Sequence, residues 1–154
     1  MKIHLLAAGT RMPGWVVQAY TDYAKRLPKG MLELTEISLT RRTRGDLSRA
    51  LYQEGQRMLD AAPPRGRHIA LAVKGKSWNT MQVARQLAHW RQNGEDVAIM
   101  IGGPDGLSPE CLRKCRESWS LSPLTLPHGL ARVVVTEQLY RAWSILQRTP
   151  YHRG

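Results

Sequence analysis

The chain is short of acid. It carries 12 Asp and Glu against 23 Lys and Arg in 154 residues, a formal net charge of +11. That imbalance favours a polyanionic partner, most simply nucleic acid. A surface charged only for solubility usually mixes both signs. No apolar run approaches 18 residues, which excludes a membrane-spanning helix. No segment joins a basic face to a clean apolar one, so a membrane-surface anchor is disfavoured too. The N-terminus runs straight into KIHLLAA without an h-region, so no signal peptide is expected and a cytoplasmic location is.

Cysteine is scarce. Cys111 and Cys115 stand one helical turn apart, without CxxC or zinc-ligand spacing, and are expected to be reduced thiols. The five histidines, His4, His68, His89, His128 and His152, form no HExxH and no metal-ligand pair, so no metal is expected. There is no GxSxG elbow, which removes the common serine-nucleophile arrangement. Repeats, low-complexity segments and long linkers are also missing. The length suits one domain spanning residues 1–154 with a single real core.

What is present is a buried-strand signal that runs into glycine. Val97–Ile101, VAIMI, is followed at once by Gly102-Gly103-Pro104-Asp105-Gly106, and Ser108-Pro109 then read as the cap and first residue of a helix. Glycines allow a sharp turn and close approach of a ligand to the backbone. A strand, a glycine turn and a helix make the usual ligand edge of an open α/β sheet. The turn is not a dinucleotide loop, because Pro104 and Leu107 stand where GxGxxG needs glycine. It is not a P-loop, because Leu107 and Ser108 stand where Gly and Lys are required.

Strand and helix signals alternate along the chain, which predicts an α/β fold with a parallel sheet. Strands are expected at 2–8, 32–39, 68–73 and 97–101. Helices are expected at 14–27, from Asp46 to the Pro63-Pro64 pair, at 80–93 and at 109–117. In the second helix Leu47, Ala50, Leu51, Met58 and Leu59 share one stripe. A basic loop, TRRTRG at 40–45, is the best candidate for a mobile segment. An apolar stretch at 121–126 precedes a last helix at about 130–147 that is apolar on most faces. Such a helix is either a central core element or part of a subunit contact. The contact is favoured, giving a homodimer.

Two regions could hold chemistry. In a parallel sheet the loops after the strands open on one edge, so 71–75, 102–106 and 121–128 could line one pocket. Leu121, Ser122, Pro123, Leu124, Thr125 and Leu126 offer apolar side chains and free backbone groups, which suit an adenine ring better than a triphosphate. The second region is the tail, 148–154. There Tyr151, His152 and Arg153 pack an aromatic ring, an imidazole and a guanidinium into three residues. The alternative is an inert chain end.

The segments IGGPDGLS, SWSLSPLTLPHGLARVVVTEQLYRAWSI and PYHR, with KIHLLAAGTRMPGWV at the N-terminus, resemble the RlmH (YbeA) family of SPOUT methyltransferases along essentially the whole chain. The resemblance implies a SPOUT-type α/β fold with a C-terminal trefoil knot, a homodimer, and S-adenosylmethionine as cofactor. The implied reaction is N3 methylation of a pseudouridine in helix 69 of 23S rRNA, on the assembled ribosome. Carried onto this chain, the cofactor contacts fall on Leu71, Gly102 and Leu121 to Leu126. Tyr151, His152 and Arg153 would complete the partner subunit's active site. His152 is the leading acid/base residue, Arg153 an anion or phosphate contact, and Tyr151 a stacking platform. His128 and Arg132, near the cofactor loop, are second candidates. Gly129 departs from the proline that members often carry, and the loop at 40–45 differs as well. The alternatives are a non-enzymatic ribosome- or RNA-binding protein and a SPOUT methyltransferase of tRNA.

Overall fold

Val97–Ile101 (β4) is buried at every residue and lies at the centre of a five-stranded sheet. The computed structural model describes residues 1–43 and 45–152, with His152 described through its backbone alone. β4 is flanked by Ile3–Ala8 (β1) and Arg67–Ser77 (β3). Leu32–Ile37 (β2) and Glu117–Ser120 (β5) form the edges, in the order β2-β1-β4-β3-β5. Every pairing is parallel.

A sheet buried on both faces needs strands that are apolar at successive residues. β1 shows how the pleat divides them. Ile3, Leu5 and Ala7 enter one core, with Val83, Leu87 and Trp90 of α3 (Thr80–Asn93) and Val135, Leu139 and Ala142 of α5 (His128–Leu146). Leu6 and Ala8 enter the other, with Met58 of α2 (Leu47–Ala61) and Cys111 of α4 (Pro109–Lys114). α5 also packs against α1 (Gly14–Ala24). Each large side chain buried this way stabilises the fold by roughly 1.5–3 kcal/mol.

Local signals fix several boundaries. α3 begins with a capping box between Asn79 and Gln82 and ends on Gly94 at φ +63°. In α4 the Ser108 hydroxyl accepts from the Cys111 N–H at 3.1 Å. Asp46 precedes α2 as expected, but its side chain makes no cap bond to the helix.

Three expectations change. The helix predicted over 109–117 stops at Lys114, because Cys115 turns extended and Glu117–Ser120 pairs with β3 as a fifth strand. The strand predicted over 68–73 continues to Ser77 as β3, whose register against β5 slips so that Leu71 and Lys76 both face Trp119. Gly75 permits this: a Cβ there would lie 2.6 Å from the Ser118 carbonyl carbon. On α2, Ala50 and Met58 are buried, whereas Leu47 is exposed and Leu51 half-buried. Glu54 takes the buried place between them.

Candidate functional site

The carboxyl ends of β3, β4 and β5 enclose one cavity. The slip in β3 throws Leu71, Ala72 and Val73 toward it. After β4 the chain folds at once, with the Gly106 N–H donating to the Gly103 carbonyl at 3.0 Å and Gly106 at φ +79°. A Cβ on Gly102 would lie 2.4 Å from the Gly106 carbonyl carbon, so the turn closes on itself where a side chain would have to be. The loop from 121 to 127 forms the far wall. It is shaped by the Ser120 hydroxyl donating to the Ser122 carbonyl at 3.1 Å and the Leu124 N–H donating to the Ser122 hydroxyl at 2.9 Å.

The enclosed volume is about 620 Å³, within the range of small-molecule and cofactor sites. Of the predicted contacts, Leu71, Gly102, Leu121, Ser122, Leu124, Thr125 and Leu126 line it; Pro123 is exposed and does not. Val73 and Pro104, within the predicted stretches 71–75 and 102–106, line it as well, whereas sequence reasoning missed Leu107 and Leu112. Among the described lining residues none carries a formal charge, and His128 is the one titratable side chain.

His128 opens α5 and packs over Gly9, its Nε2 lying 3.6 Å from where a Cβ on that glycine would sit. Burial, with the Arg132 charge adding to it, moves its pKa below the ordinary histidine value. The wall group is therefore a neutral imidazole at neutral pH. Arg132, one turn on, does not line the cavity. It is 2% exposed, pairs with Glu36 at 2.7 Å and donates to the Gly9 carbonyl at 3.4 Å. It holds the ends of β1 and β2 to α5 rather than facing a ligand.

Thr40 and Arg42 of the basic loop are tied to α2 and to the glycine turn, and Arg44 lies outside the described residues. The Thr40 N–H donates to Glu54 Oε2 at 2.8 Å, and Arg42 binds both Glu54 oxygens and Asp105 of the glycine turn. Leu39 packs against Gly103. Glu54, 3% exposed, is thus the anchor that lays this loop over the cavity's glycine wall. A signal for it existed: Ala50, Glu54 and Met58 recur every four residues, which puts the carboxylate on the buried stripe.

The tail lies elsewhere. Tyr151 sits in a short turn, Pro150–His152, and packs edge-on against Tyr140 with ring centroids 4.6 Å apart. Its hydroxyl donates to Glu137 Oε1 at 3.1 Å, and the Arg141 guanidinium lies 4.9 Å from its ring centre. Burial, with hydrogen bonds to Tyr23 and Glu137, pushes its pKa up to about 12. Tyr151 is therefore held by residues of its own subunit. At about 1.5 Å rise per residue, Glu137 and Tyr140 stand roughly 14–18 Å along α5 from His128. The structure does not bring the tail's Tyr151 together with its own cavity. Arg153 lies outside the described residues, as does the side chain of His152.

Residues 1–152 match a family model described as predicted SPOUT methyltransferase. The chain belongs to the RlmH family of SPOUT methyltransferases. The family relation runs end to end. A "Ribosomal RNA large subunit methyltransferase H" of Hahella chejuensis is 51% identical over 99% of both chains. One of the same name from Alkalilimnicola ehrlichii is 54% identical over 100% of both. A structure described as a methyltransferase from Legionella pneumophila with bound SAM is similar in fold, with a TM-score of 0.52 and 16% identity over 93% of this chain and 66% of that one. Among the described residues, no helix is long and apolar enough to cross a membrane.

Proposed function

We propose that this protein transfers a methyl group from S-adenosylmethionine to N3 of a pseudouridine in helix 69 of 23S rRNA, on the assembled ribosome. The carrying observation is the uncharged cavity built against the Gly102–Gly106 turn. Walls of Leu, Gly and backbone amides suit an adenosyl group, and no lysine or arginine is present there to hold a triphosphate. Leu71, Gly102 and the 121–126 loop would hold the cofactor. The bound cofactor supplies an already activated methyl group. The names of the two full-length relatives support rRNA as the acceptor class.

The chain must still orient the base and help remove a weakly acidic proton. His152 is assigned that proton, and Arg153 the developing negative charge or a neighbouring phosphate. The distance along α5 supports their acting on the cavity of a second copy. Tyr151 anchors the tail at its root. A homodimer is supported by Leu130, Val133 and Val134, which α1, α3 and the sheet leave half-buried on α5. The C-terminal knot belongs to the same proposal. It is supported by the route of the chain from edge strand β5 through 121–127 back to α5, against both α1 and α3.

Labelled methyl transfer tests the reading, with free 23S rRNA, isolated subunits, assembled ribosomes and tRNA as acceptors. Label in 23S rRNA of assembled ribosomes, at a pseudouridine, is the expected result. Label in tRNA, or none anywhere, overturns it.

A further inference from the structure

Three sulfur atoms meet between α4 and β4. Cys111 Sγ lies 3.6 Å from Met100 Sδ, and Cys115 Sγ lies 3.7 Å from the same atom. Interaction between the two thiols lowers the pKa of Cys111 and raises that of Cys115, with burial adding to the rise at Cys115. The arrangement follows from the elements. A spacing of four residues puts both cysteines on one side of the α4 end. The pleat of β4 sends Met100 to the face that α2 and α4 cover. Cys111 is fully buried, while Cys115 is half-buried and gives a way in. Neither sulfur lines the cofactor cavity, although Leu112, between them in sequence, does.

We propose that Cys111, Cys115 and Met100 form a binding site for a soft monovalent cation of the Cu(I) class. Thiolate and thioether donors select such ions, whereas magnesium and calcium require oxygen. Metal–sulfur bonds of about 2.3 Å set sulfur–sulfur edges of about 3.8–4.0 Å, so the two present edges need to open by a few tenths of an ångström. Two S–H bonds break, two metal–thiolate bonds and one metal–thioether bond form, and two protons leave to water; no electron is transferred. The nearby Lys114 offsets the net negative charge of the loaded site. The cation would tie α4 to β4 one residue before the Ile101–Gly102 end of the cavity. The site is separate from the methyl-transfer reading and stands or falls without it.

Anaerobic titration of the full chain with Cu(I), against bicinchoninate as competing chelator and with a non-thiol reductant, tests it. The expected result is one Cu(I) per chain with an ultraviolet thiolate-to-metal band. Cys115→Ser, at the half-buried position, should lower affinity by at least about 100-fold while circular dichroism and melting show an intact fold. Met100→Leu, close in volume, should keep the fold and lower affinity about tenfold or more. Wild-type protein that takes no Cu(I) from the chelator overturns the proposal. So does a Cys115→Ser protein that binds as wild type, and unchanged affinity in Met100→Leu overturns the three-sulfur site.

Discussion

At Gly102 a methyl group has nowhere to go. Its carbon would lie 2.4 Å from the Gly106 backbone, so even Gly102→Ala must open the turn. The sequence pointed to Gly102 as a place where a ligand needs room. In the structure Gly102 lines the cavity, and the chain's own turn fills the space a Cβ would need. Gly106 differs: a Cβ there meets nothing within 4 Å, and the burden is its φ of +79° alone. Gly102→Ala should therefore abolish cofactor binding in calorimetry and lower the melting temperature. Gly106→Ala should cost about 1–2 kcal/mol and keep measurable binding. Equal behaviour of the two variants would contradict this account of the turn. His128 makes a second residue-scale prediction. Its pKa lies below 6.5, so it stays neutral through neutral pH and gains charge as pH falls further. A protonated wall imidazole would repel a cationic sulfonium donor. Cofactor affinity should thus weaken as pH falls through that depressed pKa, and the acid limb should vanish in His128→Gln. The sign for stability is the same. A depressed histidine pKa means that the unfolded chain takes the proton first, so stability is lost as pH falls below its unfolded value.

Among the elements, Thr40 and Arg42 of the basic loop owe their place to one buried carboxylate, Glu54. Glu54→Ala leaves Arg42 and the Thr40 N–H without their shared acceptor. That should cost about 1–3 kcal/mol in urea denaturation and speed proteolytic cleavage within the loop. Wild-type stability and cleavage would show that the clamp is incidental. The sheet and its helices were largely readable in the sequence, because a sheet covered on both faces leaves continuous apolar runs such as Val97–Ile101. β5 was not. Four residues, Glu117–Ser120, are too few to show a period, and their pairing straddles the slip in β3, from Ile69 opposite Glu117 to Ser77 opposite Ser120. The basic loop hid its anchor for a related reason. Its basic composition is local, whereas the acid that holds it belongs to α2. α5 was half legible. Its excess of apolar residues marked burial, and Val135, Leu139 and Ala142 are indeed buried, but against α3 and the sheet of the same chain.

For the whole molecule, a net charge of +11 and an uncharged cavity divide the work. The surface supplies salt-dependent attraction to phosphate and the cavity supplies the place for chemistry. In the proposed reading the tail joins them, and no local pattern could reveal its partner. Tyr151, His152 and Arg153 looked like a catalytic cluster in sequence, yet Tyr151 is fastened to Tyr140 and Glu137, far along α5 from the cavity of its own chain. Methyl transfer by mixed dimers tests the shared site most directly. One subunit would lack residues 151–154. The other would carry Leu126→Arg, which fills and charges the cavity. Each variant alone should be inactive on ribosomes. Heterodimers, verified by native mass spectrometry, should recover about half the wild-type rate, because one intact cavity meets one intact tail. Heterodimers that form and stay inactive, or a tail-deleted enzyme that keeps wild-type turnover, would contradict the shared site.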